Sequence, residues 1–361
     1  MKKILFGITS LTLGGAERVL VDLANALSDE YEITILTIYD GGILKKQLNP
    51  NIHTISIYDK AYKEFSKIEK IKISLKLIFK DKAPEGYDTY VAFLEGPITR
   101  LFSKVKNNKK IAWIHNDISK VFGNGIKGKL KKKLDKKIYN SYDQLIFVSE
   151  ENREDFCREY GKNNNEKIIR NYLDYEEVIK KADEQIKLPF EKNDINIVTV
   201  CRLTEQKGID RFINVHSKLE KTGMHSKVYI VGDGPLRYSL QKQIDELGET
   251  ENFYLLGEKT NPYPYIKNAD YFCLLSYYEG YGMVIEEAKI LDKTVIITDT
   301  AARESILNYE KGIIAPNTEK GIYETLRDVI KENKHDNGIN LENNINTKYY
   351  EKILKEVKEV L

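Results

Sequence analysis

Cysteine is scarce. Cys157, Cys201 and Cys273 are the only three in 361 residues, odd in number and far apart. That excludes a disulfide framework as the organising device and fits a reducing, cytoplasmic setting. The five histidines, His53, His115, His216, His225 and His335, fall at no metal-ligand spacing, and no D-x-D occurs. No metal cofactor is therefore expected. No stretch approaches the roughly 18 apolar residues needed to cross a bilayer. The opening MKKILFGITSL lacks an A-x-A cleavage site and runs into a Gly-Gly turn, so it reads as a first buried strand rather than a leader. Net charge is only +2, which removes bulk attraction to nucleic acid. No G-x-G-x-x-G follows a strand, which disfavours a dehydrogenase.

What remains is an ordinary globular composition, 41% apolar and 31% charged, with a mean hydropathy of −0.47. Length suggests two domains. Short β-branched and aromatic runs (KILFGI, EITILTI, DTYVAFL, KIAWIH, QLIFVS) alternate with helical segments in the first half. After a polar stretch the rhythm restarts with INIVTV, KVYIVG, FYLLG, DYFCLLS, KTVIIT and GIIA. Alternating strands and helices predict two successive α/β halves with parallel sheets. The expected division is residues 1–172, a linker over 173–193, a second domain over 194–343, and a C-terminal helix over 344–361 that packs back on the first domain.

The densest motif is Ser276-Tyr277-Tyr278-Glu279-Gly280-Tyr281-Gly282-Met283-Val284-Ile285-Glu286-Glu287-Ala288. It joins a strand-length apolar run to a helix, the position where open α/β sheets bind ligands. Helix-start amides attract phosphate or sugar oxygens, and a carboxylate grips a vicinal diol. Arg202 follows a predicted strand and Lys207 opens a helix in V-C-R-L-T-E-Q-K-G, so both cations are expected at the carboxyl edge of the sheet. There they would stabilise charge developing on a departing diphosphate. Gly14-Gly15 marks a tight turn after the first strand, a weak signal alone. His115 ends a strand, where a structural hydrogen bond is the commoner role. Gly232-Asp233-Gly234-Pro235 reads as a fold-keeping turn, and Glu95-Gly96-Pro97 follows another strand.

Taken together, these residues resemble a retaining glycosyltransferase of family 4, over essentially the whole chain. The E-x7-E pair Glu279 and Glu287 is its most specific match. The resemblance implies the GT-B fold, two facing Rossmann-like domains with parallel sheets and an interdomain cleft, an acceptor-side N-terminal domain and a nucleotide-sugar-binding C-terminal domain. It implies that Glu287 binds the ribose hydroxyls and Glu279 lies beside the donor sugar. Amides of Gly282, Met283 and Val284 would contact sugar and diphosphate oxygens, Arg202 and Lys207 would assist departure, and the Gly14-Gly15 backbone would approach the diphosphate. His115 would meet the sugar's hydroxyls, with Asn116 and Asp117 lining the same cleft. The donor implied is a nucleotide-sugar, foremost a UDP-sugar, and the acceptor a glycan or polyprenyl-linked saccharide. One element departs from the pattern. Thr300-Ala301-Ala302-Arg303-Glu304 stands where the family often has Gly-Gly-x-x-E, which leaves that loop's donor contacts in doubt. A composition rich in lysine, asparagine and isoleucine fits an AT-rich bacterial gene, hence a capsule, exopolysaccharide or other surface glycan.

Charge is localised in two places. Lys120 to Lys137 is strongly basic around Leu130, Leu134 and Ile138, and KIEKIKISLKLIFKDK spans Lys67 to Lys82. Such helices can lie on an anionic membrane surface or pack as solvated faces of their own domain. Two other readings stay open: a UDP-sugar epimerase or phosphorylase of the same fold, and a non-catalytic partner that docks on membrane or on another transferase.

Overall fold

The computed structural model of the chain describes residues 1–12, 14–115, 126–191, 193–332 and 347–361. They form two compact units, Met1–Asp174 with Lys348–Leu361, and Tyr175–Thr347.

The first unit holds seven parallel strands: β1 (Lys2–Ile8), β2 (Tyr31–Tyr39), β3 (His53–Tyr58), β4 (Thr89–Ala92), β5 (Lys109–Ile114), β6 (Gln144–Phe147) and β7 (Glu166–Ile168). Their order is β3-β2-β1-β4-β5-β6-β7. In β1, Ile4 to Ile8 are all buried, as expected of a strand covered on both faces. Phe6 of β1 lies between Ile35 of β2 and Val91 of β4. The edge strands β3 and β7 were not legible as apolar runs. Each has a single neighbour, so HTISIY and EKI stay only partly buried and carry polar residues.

The helices are α1 (Gly15–Leu27), α2 (Lys67–Phe79), α3 (Pro97–Phe102), α4 (Ile126–Tyr139) and α5 (Glu150–Tyr160). Ile73 and Leu77 of α2, Leu101 and Phe102 of α3, Tyr139 of α4 and Phe156 of α5 share one core with Leu5, Ala92 and Leu145. These four helices therefore cover the same face of the sheet. Ser149 caps α5 by accepting from the Asn152 amide at 3.0 Å. The C-terminal helix, Thr347–Val360, belongs to this unit, with the Leu361 carbonyl accepting from Thr89 Oγ1 at 2.9 Å.

The second unit opens with α6 (Tyr175–Ala182), inside the stretch expected as a linker. Val178 and Ala182 bury its apolar side, and Asn261 Nδ2 donates to the Lys181 carbonyl at 2.8 Å. The rest alternates as β8 (Asn196–Val200), α7 (Ile209–Glu220), β9 (Lys227–Val231), α8 (Arg237–Leu247), β10 (Phe253–Gly257), α9 (Tyr263–Asn268), β11 (Tyr271–Leu274), α10 (Met283–Ile290), β12 (Thr294–Thr298), β13 (Gly312–Ala315) and α11 (Glu319–Glu332). The parallel order is β10-β9-β8-β11-β12-β13.

His216 has a structural place in this core. It is fully buried on α7, with Nδ1 2.9 Å from Glu249 Oε2 and Nε2 3.0 Å from the Ser226 carbonyl. Both nitrogens thus face acceptors. Burial pushes the Glu249 carboxyl up, but the His216 hydrogen bond and charge pull it down further, leaving it below its ordinary value. A depressed carboxylate contributes stability above its unfolded pKa, and this is lost as pH falls through the folded value. His216→Ala should cost about 2–4 kcal/mol at neutral pH by stranding a buried carboxylate. Urea unfolding measured across pH should show that difference shrinking as the pH drops through the carboxylate range. A difference independent of pH would remove the Glu249 carboxylate as its cause.

Candidate functional site

In each sheet the strand order reverses direction once, between β1 and β4 in the first unit and between β8 and β11 in the second. At such a reversal the two crossover connections leave in opposite directions and open a crevice beyond the strands' carboxyl ends. The sequence motifs fall at these two positions.

In the second unit, Arg202 sits in the loop after β8, and Glu205–Lys207 form a single 3-10 turn ahead of α7. Across the crevice, the loop after β11 carries Ser276 to Gly282 into α10. Lys207 Nζ pairs with Glu279 Oε2, which also accepts from Ser276 Oγ at 3.2 Å. Both cations were expected at this edge, and both lie in the segment that follows β8. The fold also brings Lys207 onto Glu279, because the two loops flank neighbouring strands and a mostly buried carboxylate needs a counter-charge. Arg202 is exposed, and its side chain has no hydrogen-bond or ion-pair partner among the described residues.

Gly282 precedes α10 with φ 69°, and a Cβ there would come within 2.8 Å of Ile285 Cδ1, so glycine is required on both counts. The Met283 and Val284 amides occupy the first turn, where the helix provides no acceptor of its own. The adjacent glutamates Glu286 and Glu287 of α10 are packed differently. Glu286 is buried and held by Tyr281 OH at 2.9 Å and by Lys289 Nζ at 2.9 Å. Glu287 is half-buried and accepts from Tyr263 OH at 3.2 Å.

Residues that no spacing rule singled out hold this arrangement. Tyr263, buried on α9, orients Glu287 from 24 residues away. Gln206 Nε2 donates to the Tyr278 carbonyl at 3.1 Å, and Asn317 Nδ2 to the Tyr277 carbonyl at 2.9 Å. The turn at Gly232-Asp233-Gly234 lies directly on the Arg202 loop: the Asp233 carbonyl accepts from the Leu203 amide at 3.0 Å. A Cβ on Gly234 would stand 2.4 Å from the Leu203 carbonyl oxygen. The fold-keeping turn is therefore also what fixes the Arg202 backbone. Arg303 and Glu304 lie in a 3-10 turn after β12, where Arg303 Nη1 contacts Asp299 at 3.1 Å.

In the first unit, Gly14 is the residue before α1, with an extended backbone, and Gly15 begins the helix. The Glu17 carboxylate lies where a Gly14 Cβ would project, and burial raises its pKa. Beyond β4, the Glu95 carboxylate accepts from the His115 amide at the end of β5. This contact turns the ambiguous Glu95-Gly96-Pro97 segment into a neighbour of His115. His115 as a residue is half-buried, but its Nε2 is sealed from solvent and has no hydrogen-bond partner among the described residues, as is true of Trp113 Nε1. Burial holds the His115 pKa down to about 3, so the imidazole is neutral at physiological pH. It packs against Phe93 at 4.9 Å between ring centroids. Asn116 and Asp117 lie outside the described residues. Among the described residues no group of His, Cys, Asp and Glu is arranged to hold a metal ion.

Residues 13–177 match the family described as Glycosyltransferase Family 4, and residues 180–348 the family described as Glycosyl transferases group 1. The chain is 27% identical to an uncharacterized glycosyltransferase of Methanocaldococcus jannaschii, over 72% of this chain and 64% of that protein. It is also 27% identical, over 92% of both chains, to the N-acetylgalactosamine-N,N'-diacetylbacillosaminyl-diphospho-undecaprenol 4-alpha-N-acetylgalactosaminyltransferase of Campylobacter jejuni. Among solved structures, Anabaena HepE in complex with UDP and glucose superposes with a TM-score of 0.75 and 17% identity, covering 99% of each chain. That likeness establishes the two-unit GT-B architecture.

If Glu287 grips a nucleotide and Tyr263 orients it, Tyr263→Phe should weaken nucleotide binding about threefold to tenfold, the net worth of one ordinary hydrogen bond. Titration calorimetry with UDP should show this while the melting temperature stays near wild type. Unchanged affinity would leave Tyr263 as a packing residue only.

Proposed function

The chain belongs to the glycosyltransferases, a family 4 N-terminal half joined to a group 1 C-terminal half, and on that premise we propose that it moves a sugar from a UDP-sugar to a hydroxyl of a lipid-linked saccharide in the synthesis of a bacterial surface polysaccharide. The observation that supports the reading is the reversal between β8 and β11, whose two loops carry Arg202, with no side-chain partner among the described residues, and the Lys207–Glu279 pair, and lead into the helix-start amides and Glu287 of α10. A carboxylate steadied by a tyrosine suits a ribose diol, and helix-start amides with a guanidinium suit a diphosphate.

In this reading Glu287 holds the ribose, and the Gly282, Met283 and Val284 amides hold sugar and diphosphate oxygens. Arg202 stabilises charge that grows on the diphosphate as the sugar–oxygen bond breaks, an interaction stronger in the transition state than in the ground state. Lys207 does the same from its place beside Glu279, which meets the positive charge developing on the sugar. The acceptor oxygen attacks from the face the diphosphate leaves, and a diphosphate oxygen takes its proton, so configuration is retained and no separate side-chain base is needed. The fixed cations and helix amides supply the positive charge, so the reaction runs without a divalent ion. UDP bound in the Anabaena neighbour supports the donor, and the diphospho-undecaprenol acceptor named for the Campylobacter relative supports the acceptor class. O-antigen and capsular transferases among the relatives support the pathway class.

A panel of UDP-, GDP-, ADP- and dTDP-sugars with EDTA present, scored by thermal shift and slow nucleotide release, tests this directly. One UDP-sugar should stabilise the protein and release UDP. Glu287→Ala should weaken UDP binding about 10–100-fold, whereas Arg202→Ala should lower kcat about 100-fold with a smaller change in KM. Normal kinetics in both variants would place the site elsewhere. Conversion of a UDP-sugar without any acceptor would favour an epimerase.

A further inference from the structure

Helix α2 carries two apolar faces, and the fold uses one. Ile73 and Leu77 are buried in the first unit's core. On the other side Ile68 is 67% exposed, Ile71 61%, Leu75 50% and Phe79 78%. At 3.6 residues per turn these four side chains project within an arc of about 80°. Scattered exposed apolar residues are normal, but four in one helical stripe are not.

The flanks of the stripe are basic. Lys67 borders one side and Lys72 and Lys76 the other, all three exposed. The helix's single acid is withdrawn from this face: Glu69 bonds the Ser66 amide at 2.8 Å and the Ser66 hydroxyl at 2.6 Å, closing a capping box. Those hydrogen bonds to Ser66 hold its carboxyl below the ordinary range. The helix is also fixed in place. Lys104 Nζ donates to the Leu77 and Asp81 carbonyls at 2.6 and 2.9 Å, and Lys70 stands over the Tyr62 ring at 4.0 Å.

Helix α4 is more basic still. Lys132 pairs with Glu159, and Arg100 draws Asp135 inward at 3.2 Å. Of its apolar residues with described side chains, Leu134 is exposed while Ile138 packs against the core. Lys133, Lys136 and Lys137 are exposed and add positive charge on the same side of the sheet as α2. Lys127, Lys129 and Lys131 have side chains outside the described residues.

We propose that the outward face of α2 is a docking surface for an anionic lipid bilayer, with Ile68, Ile71, Leu75 and Phe79 entering the acyl boundary and the flanking lysines resting among phosphate headgroups. An apolar stripe bordered by cations is complementary to a surface that is apolar beneath and negative above. An acidic protein partner would match the lysines but would not need four bulky apolar side chains at the centre. Among the described residues no helix is long and apolar enough to cross a membrane, so α2 lies on the bilayer rather than through it. The inference extends the proposed acceptor reading, since a lipid-linked saccharide is presented at that surface, and it stands without the donor assignment.

Co-sedimentation with vesicles of equimolar phosphatidylglycerol and phosphatidylcholine is the test. The wild-type chain should sediment with these vesicles and bind about tenfold or more weakly to pure phosphatidylcholine. Ile71→Asp with Phe79→Ser, both at exposed positions, should reduce binding about tenfold or more. Lys72→Glu with Lys76→Glu should reduce it and flatten its salt dependence. Melting temperature and stabilisation by a UDP-sugar should match wild type in both variants, which separates this test from that of the donor site. Wild-type protein that stays in the supernatant, or an α2 variant that sediments equally well, overturns the proposal. Dimers dispersed by the same substitutions, without vesicle binding, would also overturn it and assign the face to a second copy.

Discussion

The constraint on which the rest depends is the single reversal of strand order in each sheet. A right-handed crossover between parallel strands places its helix on one face, and the direction of travel along the sheet decides which face. Between β8 and β11 the chain travels both ways, so two loops diverge at the carboxyl edge and leave their backbone groups facing a common opening. The Arg202 loop and the Glu279 loop are these two. Nothing about either loop alone makes a site; their adjacency across paired strands does.

Once the loops are adjacent, electrostatics and close packing set the details. A largely buried Glu279 is costly unless paired, and Lys207 lies within reach from the opposite loop. That pairing neutralises both and leaves Arg202 as the cation without a partner among the described residues. The backbone beneath Arg202 is held by a turn whose glycines touch it, so side chains there would push the loop away. On α10, two consecutive glutamates meet different fates because successive helix positions point about 100° apart. Glu286 turns into the protein toward Lys289 and Tyr281, while Glu287 turns toward Tyr263.

The first unit divides its labour by face. Its sheet's carboxyl edge carries Glu95 against His115, and burial keeps that imidazole neutral. One broad face is covered by α2 to α5, and there α2 turns its remaining apolar stripe outward among lysines. The two features lie apart because a doubly wound sheet exposes its strand ends and its helical layers in different directions. The stripe has a further consequence for solubility. Four bulky side chains left in water favour association with something apolar, and the surrounding positive charge disfavours association with another copy of itself.

The sequence by itself determined a great deal. Buried parallel strands read as apolar runs, so β1, β2, β4, β5, β6 and β8 to β13 were visible, as was the restart of the rhythm that marks two units. The E-x7-E spacing, Arg202, Lys207 and the glycines were visible as motifs at the ends of predicted strands, and the structure puts them in the loops that follow β8 and β11 and at the starts of α1 and α10. The edge strands β3 and β7 were hidden, since a strand with one neighbour needs no continuous apolar run. Only the tertiary structure decided that Lys207 meets Glu279, that Tyr263 holds Glu287, that Glu95 reaches His115, and that α2 keeps an apolar stripe outside. The reason is common to all four. Each depends on which residues, distant in sequence, the crossovers set side by side, and periodicity reports the shape of an element but not the identity of its neighbours.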